Sequence, residues 1–242
     1  IEKITKDKRV ISYICDDKSK DGLIDELKKR KIDFSTTPKK MGAPGKSRNI
    51  ILEKAIKDGV DYITFLDGDD YINVDDYILA CSKIDQKATI IATGFYTRFE
   101  KVSMKLIQEE YGINRTITFK ESKNEATKAM NSSGGRIYNV KHIEELNVRY
   151  SDDLPGQDTL FNVHIFEKGE YLQILNNIFY TRNVSDVSLS EDLNVESFKK
   201  RLEAFRQIQN NDFFNELTYA AFIVPLTNKK TSLPTLPVRF EL

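Results

Sequence analysis

Three short stretches carry residue types that could do chemistry. The first is "ITFLDGDDYI", residues 63–72, where apolar and β-branched residues run into Asp67, Gly68, Asp69 and Asp70. Carboxylates ligate hard cations such as Mg²⁺ and Mn²⁺, and such sites often use one or two protein carboxylates and leave other positions to substrate phosphates. The same residues also spell a solvated turn, because Asp and Gly are turn formers. The second stretch is "MGAPGKSRN", residues 41–49. Gly42 and Gly45 relax the backbone, Lys46 and Arg48 offer charge to a phosphate, and Ser47 is placed to open a helix whose N-terminus attracts anions. The spacing is not that of a P-loop, and a flexible loop with two solvated cations is the plainer alternative. The third is "PGQDTLF", where Asp158 begins a helix. That position suits an acid favoured by the helix dipole, and equally a general base held on a rigid helix end.

The elements that must position these residues follow from hydrophobic periodicity. "RVISYIC" (9–15) reads as a buried strand ending in Asp16-Asp17, and "GVDYITFL" (59–66) as a second strand ending in the acidic stretch. Between them lie a helix with Leu23, Ile24 and Leu27 on one face, a loop broken by Pro38, Gly42, Pro44 and Gly45, and a helix from Ser47 to Lys57. Further on, the pattern predicts a helix over 73–84, a strand over 88–96 and a hairpin around "RTITFKE". A strand "RIYN", a helix near 140–146, a helix over 158–168, one or two strands over 171–182 and a helical region over 195–223 complete it. Alternating strands and helices predict an α/β domain with a mainly parallel sheet. Sites in such sheets lie at the carboxyl ends of strands, so the two acidic strand ends and the basic Gly/Pro loop form one expected cleft.

Composition excludes several classes. The chain has 242 residues, with 37 Lys+Arg balancing 37 Asp+Glu. No net basic field points to nucleic acid and no acidic tail to disorder. The two cysteines and two histidines have no zinc-type spacing, and two buried free thiols fit a reducing compartment. No apolar run reaches the roughly 18 residues of a membrane span.

Together, "ICDDKSKDG", "GAPGKSRNIILEKAIKDGVDYITFLDGDDYI" and "PGQDTLFN" resemble the family 2 glycosyltransferases of the GT-A fold. The resemblance covers roughly residues 9–185, and the "GAPGKSRN" loop is most similar to enzymes that glycosylate wall teichoic acids and related bacterial surface polymers. It implies a GT-A, Rossmann-like domain over 1–190 with a helical C-terminal extension over 191–242. It also implies a nucleotide-sugar donor, UDP-linked, with Mn²⁺ or Mg²⁺ as cofactor and a glycan or polyol-phosphate acceptor. By position, Asp17 with Asp16 would contact the nucleotide base, Arg48 and Lys46 would lie near the nucleotide, Asp67 would face the ribose and Asp69 would ligate the metal. Asp158 would be the general base, and Arg182, Ser188 and Ser190 would belong to a loop over the diphosphate. Asp70 is expected to support the loop by hydrogen bonding. The implied reaction is a single inverting displacement on the cytoplasmic side of the plasma membrane.

Two departures stand out. Gln157 occupies the place where the family has Glu before the base. The family's first strand and helix have no counterpart, and "IEKITKDK" reads as the tail of that helix, so unpaired sheet edges and reduced stability and activity are expected. A nucleotidyltransferase of similar fold, or a nucleotide- or glycan-binding assembly subunit, is the alternative function. The aromatic-rich helix near 198–214 could also touch a membrane surface, although its apolar spacing is satisfied by packing alone. The sugar, the linkage and the oligomeric state stay open.

Overall fold

The structure is a computed structural model that describes residues 2–99, 106–109, 114–119, 132–151, 156–184, 199–200, 202–203 and 205–208. A short helix α1 (Glu2–Thr5) leads into an extended run ending in β1 (Cys15–Asp16). Helix α2 (Leu23–Lys29) then crosses to β2 (Ser35–Thr36), which lies parallel to β1 in a two-stranded sheet. Helix α3 (Pro44–Lys57) buries Leu52 and Ala55 completely. It starts earlier than Ser47, because Ala43 is the extended N-cap residue and Pro44 takes a first-turn position where its missing N–H costs nothing.

The acidic stretch connects β3 (Tyr62–Ile63) to β4 (Tyr71–Ile72). Helix α4 (Val74–Cys81) follows, capped by the Asn73 side chain, which accepts from the N–H groups of Asp75 and Asp76. The remaining elements are β5 (Ile90–Phe99), β6 (Leu106–Glu109), β7 (Arg115–Thr118), β8 (Arg136–Asn139), α5 (Val140–Glu145), α6 (Gln157–Lys168) and β9 (Tyr171–Val184). A seven-stranded sheet runs β3-β8-β5-β9-β4, with β6 added to β5 and β7 to β9.

The α/β class and its alternating helices stand as expected, while strand direction is more mixed than a mainly parallel sheet. Among the described strands, β1–β2 and β5–β9 pair in parallel, and the other five pairings are antiparallel. Chain length explains part of this. Only six residues separate β5 from β6, too few for the crossover of a dozen or more that parallel neighbours require. The strands expected over 9–15 and 59–66 are strand only at 15–16 and 62–63, because β1 pairs with β2 alone and β3 with β8 alone. "RTITFKE" makes no hairpin of its own among the described residues; β7 pairs with β9.

Two apolar clusters sandwich the sheet. The larger joins Leu52 and Ala55 of α3, Ile90 and Ala92 of β5, and Leu160, Phe161 and Ile165 of α6. The smaller lies under α4 and contains Ala80, Ile91, Phe95, Ile137 and Phe179. Phe205 and Ile208 are buried in the larger cluster, so the described part of the C-terminal region packs on the same core. The expected division at residues 190/191 lies outside the described residues, as does most of the helix expected over 195–223. Among the described residues no helix is long and apolar enough to cross a membrane. Cys15 and Cys81 are free thiols, half-buried rather than fully so.

Candidate active site

The N-terminal part of α3 carries the centre of the site. Arg48 is on the buried side of the helix, 5% exposed, yet its guanidinium is not buried in apolar surroundings. Nη2 donates to Asp67 Oδ1 at 2.7 Å, and Nη1 donates to Asp158 Oδ1. The ring of Tyr150 lies beneath it, 5.4 Å from centroid to Cζ. Burial alone would lower the arginine's pKa, but Asp158 and Asp67 more than reverse this and raise it. An arginine desolvated to this degree is tolerated because two carboxylates share it.

Asp158 stands in the first turn of α6, after Gly156, whose φ of 78° allows the sharp entry into the helix. Its second oxygen accepts the backbone N–H of Ser133 at 3.1 Å. Asn162, one turn further along α6, sets the segment that supplies this N–H. Its Nδ2 donates to the Ser132 carbonyl at 3.1 Å, and its Oδ1 accepts from the Tyr138 hydroxyl at 2.8 Å. Asn49 does similar work on the other side. Its side chain both donates to and accepts from the Tyr150 backbone at 2.9 Å, locking that segment to α3. The Tyr150 ring is stacked on Phe161, with centroids 3.8 Å apart and planes 10° apart. Its hydroxyl meets the Ser133 hydroxyl at 2.8 Å.

Two glycines permit this closeness. A Cβ on Gly45 would overlap the Ser151 carbonyl oxygen and Gln157 Oε1, so the starts of α3 and α6 can meet only with glycine there. A Cβ on Gly134 would come within 2.8 Å of the Tyr180 ring. Tyr180 in turn donates its hydroxyl to Asp70 Oδ2, while the Asn183 N–H donates to Asp70 Oδ1 at 2.7 Å. Burial raises the pKa of Asp70 and the charges of Asp67 and Asp69 add to it, against those two hydrogen bonds. Asp70 therefore supports the loop by hydrogen bonding, as expected.

The residues singled out in the sequence divide into groups. Arg48, Asp67 and Asp158 converge. Asp69 is exposed, and among the described residues no hydrogen bond or ion pair engages its carboxylate. Asp16 is buried, and its Oδ2 accepts from the Ser19 N–H at 3.0 Å. Asp17 is drawn into the loop before α3. Its oxygens accept from Thr37 Oγ1 at 2.7 Å, Gly42 N at 2.8 Å and Met41 N at 2.9 Å. Partial burial pushes its pKa up, but the bonds from Met41, Thr37 and Gly42 outweigh this and hold it below the ordinary value. Lys46 is half-buried in the first turn of α3, and Arg182 is exposed on β9. Ser188 and Ser190 lie outside the described residues. Gln157 is 4% exposed, and among the described residues neither polar atom of its side chain has a hydrogen-bond partner.

Sequence reasoning passed over Ser133, Tyr150 and Tyr180. "SSGG" reads as a turn, and the only signal available was its position just before a buried strand. Among the described residues, no three His, Cys, Asp or Glu side chains group as a complete metal site. The donor set fits a cation that arrives with phosphate: Asp69 is unengaged, Asp67 is half-exposed, and the remaining ligands would be substrate oxygens and water.

Comparison with known proteins bears on the fold and the family. Among solved structures, a fragment of TarS from S. aureus (residues 1–349) in complex with UDP-GlcNAc matches at a TM-score of 0.65 and 17% identity, over 87% of this chain and 62% of that one. The same fragment in complex with UDP matches at 0.65 and 17%, over 91% and 66%. The mannosyltransferase PcManGT from Pyrobaculum calidifontis, in complex with GDP-Man and Mn²⁺, matches at 0.54 and 11%, over 92% and 67%. The chain thus spans somewhat less than two thirds of the TarS fragment. No curated protein sequence matches it. The family model for glycosyl transferase family 2 matches residues 5–146, more than half of the sequence, and the chain belongs to that family.

Proposed function

We propose that this chain transfers a sugar from a nucleotide-sugar donor, UDP-linked, to a hydroxyl of a bacterial surface glycan or polyol-phosphate chain, with inversion and with Mn²⁺ or Mg²⁺ as cofactor. The observation that carries this reading is Arg48, which ties Asp67 of the acidic loop to Asp158 at the start of α6. A donor-side carboxylate and a helix-mounted base thereby face one cleft. The neighbours' complexes with UDP-GlcNAc, UDP and GDP-Man support a nucleotide-sugar ligand, and the Mn²⁺ of PcManGT supports a divalent cation.

In this mechanism Asp69 would hold the cation and Asp67 would address the ribose. When bound at Asp69, a divalent cation would supply positive charge to a leaving diphosphate. Asp158 takes the acceptor's hydroxyl proton onto its carboxylate while the oxygen attacks the anomeric carbon, and the bond to the diphosphate breaks on the opposite face. Arg48 and the Ser133 N–H fix the orientation of Asp158, so the base does not have to be ordered at the moment of reaction. Lys46, Arg182, Ser188 and Ser190 would meet the nucleotide and its diphosphate. Asp17, through the loop it secures, shapes the nucleoside end of the cleft together with Asp16. The reaction would lie on the cytoplasmic side, at the inner face of the membrane, with residues 191–242 as a C-terminal extension.

Calorimetry with UDP and Mn²⁺, followed by a UDP-release screen of donor sugars, tests the proposal. Micromolar, Mn²⁺-dependent UDP binding is expected. Absence of UDP binding would remove the basis of the reading, and release of pyrophosphate from a nucleoside triphosphate would favour nucleotidyl transfer.

A further inference from the structure

Beyond the acidic loop the sheet carries a feature that the transfer mechanism does not use. Tyr71, the first residue of β4, is 54% exposed although it follows directly on the pinned Asp70. The guanidinium of Arg98 lies over its ring, 5.9 Å from the centroid. Strand register explains the meeting. Tyr71 pairs with Thr181, Thr181 pairs with Tyr96, and Arg98 pairs with Asn183. Side chains alternate along a strand, so Tyr71, Tyr96 and Arg98 project from one face of the sheet. Among the described residues Arg98 forms no ion pair. Stacking on a ring leaves the N–H edge of a guanidinium available. An aromatic face beside an unspent cation is the pairing that a phosphate-bearing polyol or sugar chain needs, with carbons against the ring and a phosphate against the guanidinium.

Position distinguishes the two ends of the site. Asp16 and Asp17 stand at β1, which α3 packs against, and β3 is one end of the seven-stranded sheet. β4 is the other end of that path among the described strands, and the acidic loop spans the interval between β3 and β4. Tyr71 therefore stands at the end of the sheet path opposite β3, at the far end of the acidic loop, and Asp16 and Asp17 belong to a separate two-stranded sheet.

We propose that Tyr71 and Arg98 form an acceptor subsite for a phosphate-bearing polyol or sugar chain. The assignment rests on the glycosyl-transfer reading above. The phosphate recognised could in principle be the donor's or the acceptor's, and the test separates the two. A defined glycerol-phosphate hexamer is titrated into the protein with UDP and Mn²⁺ present, using wild type, Tyr71→Ala, Arg98→Ala and Arg98→Lys. UDP affinity is measured separately for each, and thermal unfolding checks that the substitutions leave the fold intact. The expected result is hexamer binding weakened about tenfold or more by each alanine variant and partly restored by lysine, with UDP affinity unaffected. Unchanged hexamer binding in both alanine variants, or no hexamer binding to wild type, overturns the proposal. So does a loss confined to UDP affinity, which would give the phosphate to the donor. Failure of wild type to bind UDP counts against the nucleotide-sugar reading instead, and hexamer binding can still be read without it.

Discussion

The two acidic strand ends look alike in sequence and are employed differently in the fold. At β1, Asp17 gives both carboxylate oxygens to the Thr37–Gly42 loop, and Asp16 turns to the Ser19 N–H. After β3 the work is divided. Asp70 is consumed by Tyr180 and the Asn183 N–H, Asp67 is shared with Arg48, and Asp69 faces solvent. One cluster shapes a loop, and the other keeps capacity for a ligand. Carboxylates at a strand end therefore indicate a site only after the hydrogen bonds that already occupy them are subtracted.

The largest effect is expected at Asp158, the proposed base, which Arg48 ties to the second cluster. Asp158→Asn should lower sugar transfer by about a hundred- to ten-thousand-fold while UDP binding persists, measured by UDP release and calorimetry. Unchanged transfer would dissolve the distinction between the two ends. Arg48→Met comes next. It leaves two carboxylates facing each other without their cation, and because Asp67 and Asp158 are partly exposed the cost is about 2–3 kcal/mol, read as a lower Tm. Asp17→Asn points an amide N–H at the N–H groups of Met41 or Gly42, for about 1–2 kcal/mol.

Acidity sharpens the contrast further. The folded-state pKa of Asp17 is lowered, so its contribution is full above the unfolded carboxylate's pKa and is lost as pH falls through the folded value. Asp70 is raised, so ionising it costs stability, a cost absent in acid that appears as pH rises through the folded value. Against wild type, the Asp17→Asn deficit in Tm should shrink toward acid pH, whereas Asp70→Asn should gain relative to wild type as pH rises. The smallest effect belongs to Gln157→Met. It removes two buried polar atoms that have no partner among the described residues, so the unfolding free energy should change by less than about 1 kcal/mol, or rise, read as a small shift in Tm.

Much of this was legible in the chain. Apolar periodicity located α3, α6, β5, β8 and β9, because each buries a continuous face. It missed β2 and β4, two-residue strands whose existence depends on a partner far along the chain. Pro44 looked like a loop breaker, although proline is at home in a helix's first turn. Strand direction escaped for a related reason, since an apolar run does not reveal which neighbour it will meet. At the site, residue types and order exposed Arg48, Asp67 and Asp158 separately. That one guanidinium joins the other two, across 110 residues of sequence in one case, is a property of packing and not of any motif. Ser133 was hidden because its contribution to Asp158 is a backbone N–H, which every residue but proline carries.

The stacked Tyr150 also makes the protein optically simple. The chain contains no tryptophan, so its near-ultraviolet signal comes from 11 tyrosines and 14 phenylalanines. Tyr150 sits between the Arg48 guanidinium and the Phe161 ring, and its hydroxyl touches Ser133, the residue whose N–H reaches Asp158. A ligand that draws Arg48 or Asp158 aside changes the electric field across that ring. Tyrosine circular dichroism and ultraviolet difference absorbance can therefore follow occupancy of the cleft without a label.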